Sequence, residues 1–228
     1  MTAATEYLRK TWWQVEQRLP EAVQLALICQ RRRPHWARAG VIFIHVPKAA
    51  GTAISHALYG RALGHVPATA VARHCPELWQ RAASFAVLRD PVDRALSAWR
   101  FACTGGTEVA GISAEAQAAV AGFESFADFA TGYLARTDLT RADPVFRPQA
   151  GYVCDGAGKV MVGHLFTLPA LDRVETWLAA TLERPIEIGE LNRSQGQPAR
   201  CDPETAALVR EIYGADQALL ARLAEADP

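Results

Sequence analysis

Two short stretches hold most of the residues suited to chemistry. The first, Lys48-Ala49-Ala50-Gly51-Thr52, follows the apolar run Val41 to Val46 and Pro47 directly. A helix opening at such a loop presents unpaired backbone N–H groups and partial positive charge, and small side chains let a phosphate approach them. Only Lys10, Lys48 and Lys159 are lysines among the 24 basic residues, so a lysine at this loop points to a compact point charge. The order of residues differs from the triphosphatase pattern G-x-x-x-x-G-K-[ST], in which the lysine follows the last glycine and the next hydroxyl binds magnesium. Here Lys48 precedes Gly51 and Thr52 stands alone. The second stretch is Arg89-Asp90-Pro91, where Arg89 offers a planar fork to an anion and Ser97, further on, offers a hydroxyl. Six histidines supply candidates for a general base near neutral pH.

The elements that must position these groups are legible around them. Val41 to Val46 is a β-branched and aromatic run stopped by Pro47, as expected of a buried parallel strand. Ala53 to Tyr59 then reads as a helix ended by Gly60. The sequence repeats the arrangement with a strand at Ser84 to Leu88 and a helix over Val92 to Ala102, for which Asp90 is the expected cap and Pro91 the first helical residue. Helical periodicity puts Val92, Ala95, Leu96 and Trp99 of this second helix on its buried stripe and Asp93, Arg94, Ser97 and Arg100 on its polar side. Two such units imply an α/β fold, a central parallel sheet flanked by helices with a phosphate-cradling loop. Beyond residue 103, Gly105-Gly106 marks a loop, Ala114 to Ala121 and Phe123 to Leu134 read as helices, and Asp143 to Gln149 as a loop. Tyr152 to Cys154 and Val160 to Val162 suggest a hairpin, and Leu168 to Leu182 and Asp202 to Ala226 the last helices. His45 falls in the first strand and reads as a satisfied core or strand-end residue, His56 falls in the first helix and His35 in the N-terminal segment.

Taken together, F-I-H-V-P-K-A-A-G-T at Phe43 to Thr52 and L-R-D-P-V-D-R-A-L-S-A-W at Leu88 to Trp99 resemble the PAPS-dependent sulfotransferases, most closely the carbohydrate, heparan-type branch. The resemblance extends to Gly64-His65-Val66, Arg147-Pro148-Gln149, Leu191-Asn192-Arg193-Ser194 and an acidic C-terminal helix with Tyr213 and Asp216. It implies that Pro47, Lys48, Ala49, Ala50, Gly51, Thr52 and Ala53 hold the 5′-phosphosulfate of the donor. Arg89 and Ser97, eight residues apart, would hold the 3′-phosphate. It implies further that His65 is the catalytic base, with His74 as competitor and His164 third, and that Lys48 stabilises charge on the bridging oxygen without a metal. Ala49 departs from the family, which commonly has threonine there. The expected reaction moves a sulfuryl group from PAPS to a hydroxyl of a glycan, glycolipid or small molecule. A non-catalytic module that binds the bisphosphate product is the alternative, and a small-molecule kinase, lacking the K-[ST] pair, a more remote one.

Composition bounds the rest. The 228 residues balance 24 basic against 24 acidic side chains, which gives no global field for gripping nucleic acid, so an anionic ligand must be met locally. Five dispersed cysteines without a C-x-x-C pair argue against a disulfide framework or a structural zinc site and fit a reducing compartment. No apolar run reaches membrane-helix length, and Glu6, Arg9 and Lys10 stand where a targeting core would lie, so a cytoplasmic protein is expected. Residues 1–40 read as a helical appendage to a domain at 41–228, with seven Arg or Lys against three Glu and with Leu8, Trp12, Val15 and Leu19 at helical spacing. Trp12, Trp13 and Arg31-Arg32-Arg33 make this segment a possible membrane-surface or partner contact.

Overall fold

The computed structural model describes residues 19–107, 110–189 and 201–226. Leu8, Trp12, Trp13, Val15 and the stretch 191–194 lie outside them. Three parallel strands form the central sheet in the order β1 (Val41–Ile44), β2 (Ala83–Leu88) and β5 (His164–Thr167). Val41 pairs with Ala83 and Ile44 with Ala86, while Phe85 pairs with His164 and Leu88 with Thr167. Because the strands run the same way, the loops leaving β1 and β2 open at one edge, where ligands of open parallel sheets bind.

Helices in chain order are α1 (Glu21–Ala39), α2 (Gly51–Tyr59), α3 (Ala68–His74), α4 (Pro76–Arg81), α5 (Pro91–Cys103), α6 (Ala114–Val120), α7 (Phe126–Phe129), α8 (Ala150–Val153), α9 (Leu171–Leu182), α10 (Pro203–Ile212) and α11 (Gly214–Ala226). Alternation along the strands separates two cores. Val41, Phe43, Phe85 and Val87 face Ile54 and Leu58 of α2 and Val174 and Leu178 of α9. Ile42, Ile44, Ala86 and Leu88 face Cys29 and Trp36 of α1 and Val71 of α3. Both faces are therefore covered, which is why the strands read as continuous apolar runs. A side chain as large as Phe85, fully buried, contributes about 1.5–3 kcal/mol. The outer edge of β1 is closed by Tyr59, whose hydroxyl accepts from Phe43 N at 2.9 Å and donates to Val41 O at 3.2 Å. A third cluster, from α5, α6, α7 and α10, extends beyond the sheet around Phe129, Phe146 and Val209.

Several local expectations change. Gly106–Thr107 and Ala110–Gly111 pair as the short antiparallel strands β3 and β4 within the expected loop. The helix expected from Phe123 starts at Phe126, because Ser125 caps it by accepting from Asp128 N, and it continues as a π turn over Ala130–Leu134. The hairpin expected around 152–162 is reduced to one antiparallel bridge, Cys154 with Val160, and Ala150–Val153 is instead the helical turn α8. The cause is remote. Asp216 accepts from Gln149 N and from Ala150 N, each at 2.9 Å, and so caps that turn from the far end of the chain. The last helix is broken at Tyr213 into α10 and α11, and the Tyr213 hydroxyl donates to Phe146 O at 2.7 Å. Arg94, expected on the polar side of α5, is fully buried against Asp216 at 3.9 Å.

Candidate functional site

Between β1 and α2 the chain turns through Lys48 and Ala50, both in the left-handed region with φ of 66° and 58°. Each such non-glycine residue costs roughly 1–2 kcal/mol. What this geometry yields is an open helix end. Ala50 is the N-cap of α2 and has no side chain to satisfy the first turn, so the N–H groups of Gly51, Thr52 and Ala53 have no acceptor among the described residues. Gly51 is dictated by packing, since a Cβ there would lie 1.7 Å from Cδ2 and 2.0 Å from Nε2 of His45. Ala49 is 1% exposed and packs into the core beneath the loop with Ile44 and Val46, so its methyl supports the cradle rather than lining it. Pro47 and Ala53 are buried, and Thr52 is half-buried.

Lys48 and Arg89 are brought together at the shared sheet edge: Arg89 Nη1 donates to Lys48 O at 3.3 Å. The Lys48 ammonium sits 3.9 Å from the centroid of Phe101 on α5. Burial, and then the charge of Arg89, lower its pKa to about 8. Burial likewise lowers the pKa of Arg89, against the opposing pull of Asp93 and Asp90. Among the described residues no carboxylate lies within ion-pair distance of Arg89, so the part of its fork not bonded to Lys48 O is available for an external anion. Ser97 is half-buried two turns into α5, the helix that begins just after Arg89.

His65 lies in the loop before α3, with its ring 4.2 Å from that of His45. Its Nδ1 is 3.0 Å from His45 O. A carbonyl can only accept, so Nδ1 carries the proton and Nε2 is left with its lone pair. The residue as a whole is exposed, while its ring stands against that of His45 on one side and 6.4 Å from that of Tyr152 on another. Desolvation pushes its pKa down to about 4, helped by Arg32 and Lys48 and opposed by the His45 hydrogen bond and Asp143. The imidazole is neutral at pH 7. Gly64 before it has φ 69°, and a Cβ there would be 3.0 Å from Arg32 Nη2. His65, His45 and Thr52 line a cleft of about 550 Å³ whose other wall includes Arg31, Arg32 and Arg61.

The competing histidines are elsewhere. His74 ends α3, its carbonyl accepting from Gln30 Nε2, and His164 stands at the opposite, N-terminal end of β5 with its ring 4.7 Å from Trp177. His56 is exposed on α2. Three neighbours have a place at the site that the sequence reading does not give them. His45, read as a strand-end core residue, is buried under Gly51 beside His65, and its Nδ1 has no partner among the described residues. Phe101 has no signal in the sequence beyond its place on α5. Gln149, noted only within Arg147-Pro148-Gln149, bonds both backbone groups of Arg89. Among the described residues no group of three or more His, Cys, Asp or Glu side chains could hold a metal ion, and no helix is long and apolar enough to cross a membrane.

An uncapped helix end carrying a lysine, a second cationic fork beside it and a neutral imidazole on the cleft that Thr52 also lines form an arrangement suited to transferring an anionic group. Comparison with known proteins agrees: the model of the Sulfotransferase family matches residues 37–219, which include both loops, His65 and Gln149. No curated protein and no solved structure matches the chain. The chain belongs to the sulfotransferase family.

Proposed function

We propose that the chain moves a sulfuryl group from PAPS to a hydroxyl of a glycan or glycolipid. The observation that carries this reading is the pairing of the open N-terminus of α2 with the Arg89 fork, joined through Lys48 O at 3.3 Å. A donor with two separated phosphate groups needs two such anion sites. The N–H groups of Gly51, Thr52 and Ala53 take the 5′-phosphate, and Arg89, with Ser97, takes the 3′-phosphate. His65 Nε2 accepts the proton of the acceptor hydroxyl as that oxygen bonds to sulfur. The bond from sulfur to the bridging oxygen breaks, its electron pair stays on that oxygen, and Lys48 stabilises the charge there. The cleft beside His65 takes the acceptor, and Arg31, Arg32 and Arg61 along it favour one carrying negative charge.

The test is transfer of radiolabelled sulfuryl from PAPS to a panel of acidic and neutral glycans in the presence of EDTA, with the parent protein and Lys48→Ala. Label in a glycan with the parent and not with the variant supports the reading. Tight binding of the bisphosphate without transfer to any acceptor makes the chain a binding module, and magnesium-dependent transfer from ATP makes it a kinase.

A further inference from the structure

Arg89 is the residue at which the sheet has run out. Leu88 is the last residue of β2 and pairs with Thr167, the last of β5. The next peptide groups would be unpaired, yet the Gln149 amide takes both: its Nε2 donates to Arg89 O at 2.8 Å and its Oε1 accepts from Arg89 N at 2.9 Å. A side-chain amide bonded to both groups of one residue fixes the peptide planes on either side of it, as a neighbouring strand does. The side chain between those planes is then aimed.

Gln149 is itself held without freedom. It is 0% exposed, and its backbone N–H, with that of Ala150, donates to the two oxygens of Asp216 on α11. Asp216 is also 0% exposed and pairs with Arg94, which donates to Val145 O at 3.3 Å. A buried, charged network of this kind is costly to assemble and does not by itself favour folding over an apolar core. Nor does α5 need it to begin, since Asp90 already caps that helix and Pro91 opens it. The network has one outlet beyond the fold, the direction of Arg89.

We propose that Gln149, fixed by Asp216, is a positioning residue that aims the Arg89 guanidinium at the outer phosphate of the donor. Selectivity for a 3′-phosphorylated nucleotide is then set in part by the C-terminal helix. This rests on the donor reading above. Loss of the clamp weakens binding of the bisphosphate and leaves binding of a nucleotide with only the 5′-phosphate close to the parent value, because the hydrogen bonds of Gln149 go to Arg89 and Asp216 and none goes to the N–H groups of the cradle at α2.

The experiment is calorimetric titration of the full chain with adenosine 3′,5′-bisphosphate and with adenosine 5′-monophosphate. Gln149→Met keeps the length of the side chain and removes both hydrogen bonds, and the ratio of the two affinities should fall about tenfold with that for the monophosphate unchanged. Gln149→Glu, which keeps the acceptor for Arg89 N and loses the donor to Arg89 O, should lower the ratio too, and gives the result if the methionine variant does not fold. Val209→Ala, in the same helical core, should lower thermal stability without moving the ratio. A parent protein that prefers the bisphosphate together with clamp variants that keep its ratio overturns the inference alone. Equal loss of the ratio in Val209→Ala overturns it as well, since the effect is then one of stability. Equal affinities in the parent overturn the donor reading and this inference together.

Discussion

In the first strand-loop-helix unit, α2 begins after an alanine that cannot cap it. In the second, the Asp90 carboxylate accepts from Val92 N at 2.9 Å and Asp93 N at 3.0 Å. The first loop holds Lys48 and Ala50 in left-handed conformations, whereas the second has no positive φ and is tied down by Gln149. Similar local grammar thus gives opposite results. One helix end is kept open, at a cost in backbone strain, so that its N–H groups can meet an anion from outside. The other is closed by its own side chain, and recognition passes to the Arg89 guanidinium. Binding through backbone suits a group that must be cradled closely, and binding through a side chain suits one that must be told apart from its absence.

If that division is right, damage to the two units differs in kind. The largest effect is expected from Lys48→Ala, which removes ground-state attraction and transition-state stabilisation together and should lower kcat/KM by about 10²–10³. His65→Ala should lower kcat by about a hundredfold while donor affinity, measured by calorimetry, stays at the parent value. His74→Ala is the control, and a loss of turnover there with His65→Ala intact would reassign the base.

The pH profile of kcat/KM sharpens the same contrast. His65 accepts a proton only when neutral, so the rate falls as pH drops through its pKa of about 4, well below the ordinary histidine value. Lys48 acts only when charged, so the rate also falls as pH rises through about 8. The two limbs bracket a plateau, and both should move upward in kcat, because bound phosphates favour the charged form of each group. The smallest effect belongs to the closed helix end. Asp90→Ala should destabilise the fold by about 0.5–2 kcal/mol, read from denaturant melts, and change donor affinity little.

What could be read in the chain follows the range of the forces involved. The β-branched run before Pro47, Gly60 after α2 and Asp90-Pro91 before α5 are local signals, and each marks the element it should. The loops that hold Lys48 and Arg89 are legible by the same route, since each lies between a strand and a helix that local signals define. Arg94 was misplaced because its helical period is polar, while the carboxylate that draws it inward is Asp216 on another helix. Tyr152 to Cys154 reads as extended for the same reason, because the carboxylate that caps the turn at Ala150–Val153 lies 66 residues beyond Ala150. His45 is buried, as its place at the end of β1 implies, but nothing in its own neighbourhood shows that Gly51 and His65 close around it.

The central claim is that two anion sites read a donor with two phosphate groups, and the most direct measurement is calorimetric titration of the parent protein and Arg89→Ala with adenosine 3′,5′-bisphosphate and adenosine 5′-monophosphate. The parent should bind the bisphosphate roughly ten- to a hundredfold more tightly, the worth of a charge-assisted contact, and Arg89→Ala should erase that preference. Equal affinities in the parent, or a preference that survives Arg89→Ala, would contradict the account.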